Sequence, residues 1–227
     1  MADGIRTDGA ASAGRVRANL WLLGLNLGLL LGAALLPSGW RDTAERALLT
    51  GIFLATLAVH GTKIRWRLAV VAGLIAAQWG AKLAGGQDLA LAAGLLNGAF
   101  FLYVISRLAV QVAGARKVTR LVLLEAVNVY LLVGLVFALL AAVTAGVSPG
   151  AYVATAAGSA LGPGTDFHSF VYYAFITMAT VGYGDIVPAT EPARALAVLM
   201  AVTGPLYMAL VIAFLVGKFA SAPSLRS

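Results

Sequence analysis

Thr180-Val181-Gly182-Tyr183-Gly184-Asp185 follows directly on the apolar run His168–Ala179. A helix needs roughly 20 apolar residues to cross a bilayer, so this run is too short. An apolar helix that cannot cross, leading into glycine-rich backbone, implies a re-entrant loop. Such backbone persists at membrane depth only when buried in protein or lining water. The hexapeptide also suits cation chemistry. A cation leaving water must exchange its hydration shell for equivalent oxygens, and stacked backbone carbonyls supply them without full charges. Aiming successive carbonyls at one axis requires backbone of alternating hand. Glycine takes the left-handed conformation cheaply, so Gly182 and Gly184 are expected to alternate with Val181 and Tyr183. The hydroxyl and carbonyl of Thr180 would complete the innermost site. One chain provides one carbonyl per level, so a closed ring calls for a symmetric tetramer.

Working outward, apolar stretches flank this loop at Leu121–Val147 and Ala195–Ala220. Four more precede them, at Leu20–Leu36, Ala47–Val59, Leu68–Ala84 and Leu89–Val110. Ala47–Val59 is short and must recruit flanking residues to span. Of the 227 residues 61% are hydrophobic and 11% charged, whereas soluble domains are nearer half apolar and a quarter charged. The bilayer is the natural solvent for such a chain. The expected fold class is therefore an all-α membrane protein: six transmembrane helices plus one re-entrant pore helix and filter loop, assembled as a homotetramer. Its expected parts are a cytoplasmic N-terminus (1–17), a four-helix transmembrane domain (18–112), a cytoplasmic linker (113–120), a pore domain (121–220) and a short cytoplasmic tail (221–227).

The basic residues orient the chain. With the N-terminus cytoplasmic and six alternating spans, twelve of the 16 Lys and Arg fall inside and four outside, a positive-inside bias. The filter loop then faces outward, in a multi-pass cell-membrane protein with both termini cytoplasmic. Asp42, Glu45, Asp88, Asp166, Asp185 and Glu191 lie on or toward the outside, where acidic groups near a pore mouth would raise the local cation concentration; most of them, Asp185 excepted, read as ordinary solvated loop charge. The net charge of +7 sits between apolar segments rather than on one basic face, which argues against nucleic acid. There is no cysteine, and no nucleophile–base pair, metal-ligand cluster or phosphate loop stands out, so no enzyme activity is expected.

The stretch Thr177-Met178-Ala179-Thr180-Val181-Gly182-Tyr183-Gly184-Asp185 resembles the filter signature of the tetrameric potassium channel family. The resemblance covers about Leu121–Ala220, as outer helix, pore helix, filter and inner helix. It implies potassium ions held at Thr180, Val181, Gly182 and Tyr183, with no organic cofactor. Tyr172 and Tyr173 match positions where the family often has aromatics forming a cuff around the filter. Their rings would wedge against Tyr183, and a tyrosine hydroxyl would donate to Asp185; Thr177 completes the expected support. Ile176 stands where some members carry a carboxylate. Gly204 matches the family's inner-helix glycine hinge, and Pro205 beside it is expected to kink the helix. Met208, Ile212 and Val216 follow at helical spacing and are expected to line the cavity below the filter. Asp166 is expected to cap the pore helix, with His168 a surface residue.

The resemblance stops at the four preceding helices. A voltage sensor needs several arginines within one span, and Arg107 is alone in the fourth. Arg116, Lys117 and Arg120 lie in the polar linker, where they are expected to meet anionic lipid headgroups. Gly24, Gly28 and Gly32 share one face of the first span and suggest a close packing seam.

Overall fold

The computed structural model describes residues 2–32, 35–59, 64–115, 118–155, 158–162 and 165–220. Seven helices make up most of it: α1 (Ala2–Leu27), α2 (Ser38–Val59), α3 (Ile64–Ala84), α4 (Gln87–Gly114), α5 (Arg120–Val147), α6 (Phe167–Met178) and α7 (Glu191–Ala220). A π turn over Gly28–Gly32 continues α1. By length and composition, Asp88–Gly114, Arg120–Val147 and Glu191–Lys218 can cross a membrane. The helices α1, α2 and α3 cover the other three expected spans but carry more charge. Arg41, Asp42, Glu45 and Arg46 stand in the first turns of α2, and Arg65, Arg67 and Lys82 in α3. Helix α1 also begins far upstream of the apolar stretch, taking in the segment expected as a separate N-terminus. Arg116, Lys117 and residues 221–227 lie outside the described residues.

Side-chain pairs show how the helices run. Arg15 pairs with Glu125 at 2.9 Å, and Asn128 Nδ2 donates to the Asn19 carbonyl at 3.0 Å, so α1 and α5 are parallel. Leu91 meets Gly146 and Val143 meets Gly94, so α4 and α5 are antiparallel. Arg46 and Gln78 exchange hydrogen bonds of 3.2 and 3.0 Å to each other's carbonyls, joining the start of α2 to the end of α3. Charged groups thus collect at two ends of the helical array. Arg41, Asp42, Arg46, Lys82 and Asp166 pair at one end. At the other, Arg15 meets Gln111 and Glu125, and Lys218 Nζ donates to the Ala115 carbonyl at 2.7 Å.

The described residues are mostly helical, consistent with an all-α membrane channel, with one small sheet besides. Between α5 and α7 lies a three-stranded antiparallel sheet, order β2-β1-β3, made of β1 (Tyr152–Ala154), β2 (Ser159–Leu161) and β3 (Ile186–Pro188). Val153 pairs with Ala160 on one side and Val187 on the other. Three-residue strands are too short to show the period-2 alternation that betrays a strand in sequence. The core runs continuously from the α1–α5 contact into this sheet, where Tyr152 is fully buried. Helix α5 is its centre: Thr119 caps it by accepting from the Val122 N–H at 3.4 Å, and Leu132, Leu135 and Ala138 along it are buried.

Candidate functional site

Helix α6 is apolar and half a bilayer long, and α5 and α7 both pack against it. On the α5 side Gly134 makes the room. A Cβ there would sit 2.7–2.8 Å from two further carbons of the Phe175 ring besides its nearest one. On the α7 side Gly204 lies against the Met178 backbone. Gly134 thus leaves room for the Phe175 ring, Gly204 lets α7 approach the α6 backbone, and Ala193, Leu196 and Met200 continue the buried stripe of α7.

The chain leaves α6 through Ala179, whose N–H donates to the Phe175 carbonyl at 2.9 Å. The Thr180 N–H donates to Thr177 at 3.0 Å, and those of Val181 and Gly182 to Ile176 at 3.0 and 3.3 Å. Left-handed backbone then recurs at every second residue: φ is +57° at Thr180, +55° at Gly182 and +76° at Gly184. The alternation expected of the two glycines is present and begins one step earlier, at Thr180. A non-glycine residue is strained at that φ.

The outer end of the loop is held from two sides, by Tyr172 and by Thr155, of which Thr155 gave no sequence signal. The Tyr172 hydroxyl donates to Asp185 Oδ2 at 2.7 Å, as expected of one cuff tyrosine. This bond to a carboxylate raises the Tyr172 hydroxyl to about 12. Thr155, in the turn after β1, donates its N–H to the Asp185 carbonyl at 2.8 Å and its hydroxyl to the Gly184 carbonyl at 3.1 Å. Tyr173 is placed differently from expectation. It is buried, and its ring meets Tyr152 of the sheet edge-on at 5.0 Å, while Tyr183 stands 71% exposed. Within one chain, therefore, Tyr173 braces the sheet rather than wedging against Tyr183. Thr177 Oγ1 is turned back onto the Tyr173 carbonyl at 2.8 Å.

Asp166 makes no side-chain cap; its carboxylate pairs instead with Arg41 Nη1 at 3.0 Å. His168 is not a surface residue: it is half-buried, with Nδ1 buried. Helix α7 runs unbroken through Gly204-Pro205. Met208, Ile212 and Val216 are 47%, 54% and 61% exposed on the single chain, and the loop residues 179–185 are exposed as well. Of the expected linker cluster only Arg120 is described. It is exposed at the start of α5.

Residues 121–221 match the family described as Ion channel. The match spans α5, the sheet, α6, the loop and α7, and supports an ion-channel function for this domain. No curated protein and no solved structure matches the chain. Among the described residues no group of His, Cys, Asp or Glu is arranged to hold a metal.

Proposed function

We propose that the protein is a potassium-selective channel in which four copies surround one pore, each contributing Thr180–Gly184 to the filter. The observation that carries this is the alternating left-handed backbone at Thr180, Gly182 and Gly184 on an exposed surface of the chain. Successive residues of opposite hand turn their carbonyls to a common side, as a ladder of ion sites needs. The Gly184 carbonyl is engaged by Thr155, so the ion-binding levels are assigned to Thr180, Val181, Gly182 and Tyr183. Potassium is the cargo, stripped of water at these levels and released on the far side.

The exposed face of α7 supports assembly. Val198, Leu199, Val202 and Leu206 are each more than half exposed, far more apolar surface than a helix beside a water-filled pore can leave uncovered. Packed copies and lipid cover it. Parallel α1 and α5, with α4 antiparallel to α5, fit six alternating spans. The basic residues then place the filter end outside and both termini in the cytoplasm. Arg120, with Arg116 and Lys117, is assigned to anionic lipid headgroups at the inner surface.

The deciding experiment is flux from liposomes loaded with purified protein, with potassium and sodium gradients compared. Potassium flux well above sodium flux is expected. Equal fluxes would indicate a weakly selective cation channel of the same architecture, and no flux of either ion would remove the conducting role.

A further inference from the structure

Where α2 meets the first turn of α6, ionisable side chains from distant parts of the chain converge. Arg41 pairs with Asp166. One helical turn further along α2, and two residues before the expected span begins, Glu45 is 3% exposed. The backbone N–H of His168 donates to its carboxylate. Two buried polar atoms in this contact have no hydrogen-bond partner among the described residues: Glu45 Oε1 and His168 Nδ1. Oε1 of a carboxylate and Nδ1 of an imidazole protonated on Nε2 are both acceptors. Each therefore lacks a donor, and a proton on Glu45 supplies the one missing at its own carboxylate.

The surrounding charges favour that proton on Glu45. Burial, then Asp166 and Asp42, push its carboxyl up to about 7, against the His168 N–H and Arg41. Burial and then Arg41 hold the His168 imidazole below its usual range, against Asp166. The remaining cations at this end, Arg46 and Lys82, are committed to Asp42 at 2.9 and 2.8 Å.

We propose that Glu45, held by the His168 backbone at the first turn of α6, is a proton-binding site that couples pH on the filter side of the membrane to conduction. The proposal rests on reading α6 and the following loop as pore helix and filter. Helix α6 links the two places directly, with the proton site on its first turn and Thr180 two residues past its last. A carboxyl whose pKa is higher in the fold than in the unfolded chain stabilises the fold fully below the unfolded value of 4.5, and that contribution is lost as pH rises through about 7. The α2–α6 contact is thus tightest when Glu45 is protonated and loosens when it ionises beside Asp42 and Asp166. Conduction falls as the outer solution becomes alkaline.

The test uses the full chain in liposomes, with potassium flux followed from about pH 5 to pH 9 outside, a range that brackets carboxyl and imidazole titration. The infrared carboxyl stretch is recorded on the same samples. The wild type is expected to lose flux with a midpoint near 7, in step with loss of a protonated-carboxyl band. Glu45→Gln, which mimics the protonated form, should hold the acid-side flux at every pH and lack that band. His168→Gln should move the midpoint. A full pH step in Glu45→Gln, or no carboxyl titration near neutrality, overturns the site. If no potassium flux occurs at any pH, the channel reading fails, while the infrared titration still decides whether Glu45 binds the proton.

Discussion

Gly204 of α7 lies so close to Met178 at the end of α6 that a Cβ would meet the Met178 carbonyl oxygen, 2.8 Å from its carbon and 3.1 Å from Cα. The obstacle is backbone, which cannot swing aside as a side-chain tip can. Gly204→Ala is therefore expected to push the inner helix off the pore helix, costing about 1–3 kcal/mol per chain as other overpacked sites do. Lower thermal stability of the purified protein is the measurement. A fully stable Gly204→Ala variant would show that the contact relaxes freely. Pro205 beside it is exposed. Pro205→Ala restores a helix donor and should change open probability in single-channel recordings without touching ion selectivity.

Gly182 tests the filter itself. Its φ of +55° is left-handed, and no atom stands within 4 Å of where a Cβ would point. The cost of Gly182→Ala within one chain is therefore conformational rather than steric, roughly 1–2 kcal/mol. Helices α5, α6 and α7 do not depend on it, so assembly should survive while potassium conduction or its preference over sodium is lost. An unchanged potassium-to-sodium flux ratio in this variant would mean that these residues do not form the filter.

Thr155 and Tyr172 hold the loop's outer end from two sides, one from the sheet and one from the pore helix. Each exposed hydrogen bond contributes about 0.5–1.5 kcal/mol at most, so Thr155→Val or Tyr172→Phe should barely move the melting temperature. Conduction should suffer more than stability, because the lost contacts fix only the Gly184 and Asp185 carbonyls and the Asp185 carboxylate. The comparison needs both melting curves and flux. A large stability loss with normal flux would make these residues architectural only.

Oligomeric state follows from the exposed surface of α7 and the filter. A homotetramer is expected by native mass spectrometry from mild detergent. A conducting species that is only monomeric or dimeric would contradict the fourfold ring.

The parts that were legible in sequence depend on local chemistry. Apolar length marks helices wherever they sit, and the glycines at 182 and 184 announce left-handed backbone without any knowledge of their surroundings. What escaped depends on contacts between distant positions. Nothing in the sequence around Gly134 says that Phe175 will occupy the space above it, nor does Thr155 advertise that it will bond Gly184, 29 residues on. Tyr173 is expected at the filter because, like Tyr172, it matches a position where the resembling family often has a cuff aromatic. On a helix, though, adjacent residues point about 100° apart, and only Tyr172 reaches Asp185. Asp166 was expected as a cap on position alone, and its pairing with Arg41, 125 residues away, redirected it. His168 was expected at the surface for want of any visible partner for α6 on that side; α2 supplies one.

Voltage dependence gives the last prediction. Moving one elementary charge through 100 mV changes the energy by about 2.3 kcal/mol, and steep gating needs several such charges in each subunit. Arg107 is the one basic residue within the expected fourth span. It is exposed and makes no ion pair among the described residues. A gating charge needs free carboxylates along its path, yet Asp42 and Glu45 lie at the filter end, whereas Arg107 stands toward the other end of α4, where the carboxylate Glu125 is already held by Arg15 at 2.9 Å. Lys218, at that other end, is tied to the Ala115 carbonyl. Helix α4 is moreover packed along α5 through the close contacts at Gly94 and Gly146, which oppose its sliding. One charge crossing part of the field supplies at most about 2 kcal/mol per subunit per 100 mV, too little for a sharp switch. A shallow conductance–voltage relation is expected in planar bilayers, unchanged by Arg107→Gln. A steep relation that Arg107→Gln flattens would make the four N-terminal helices a working sensor.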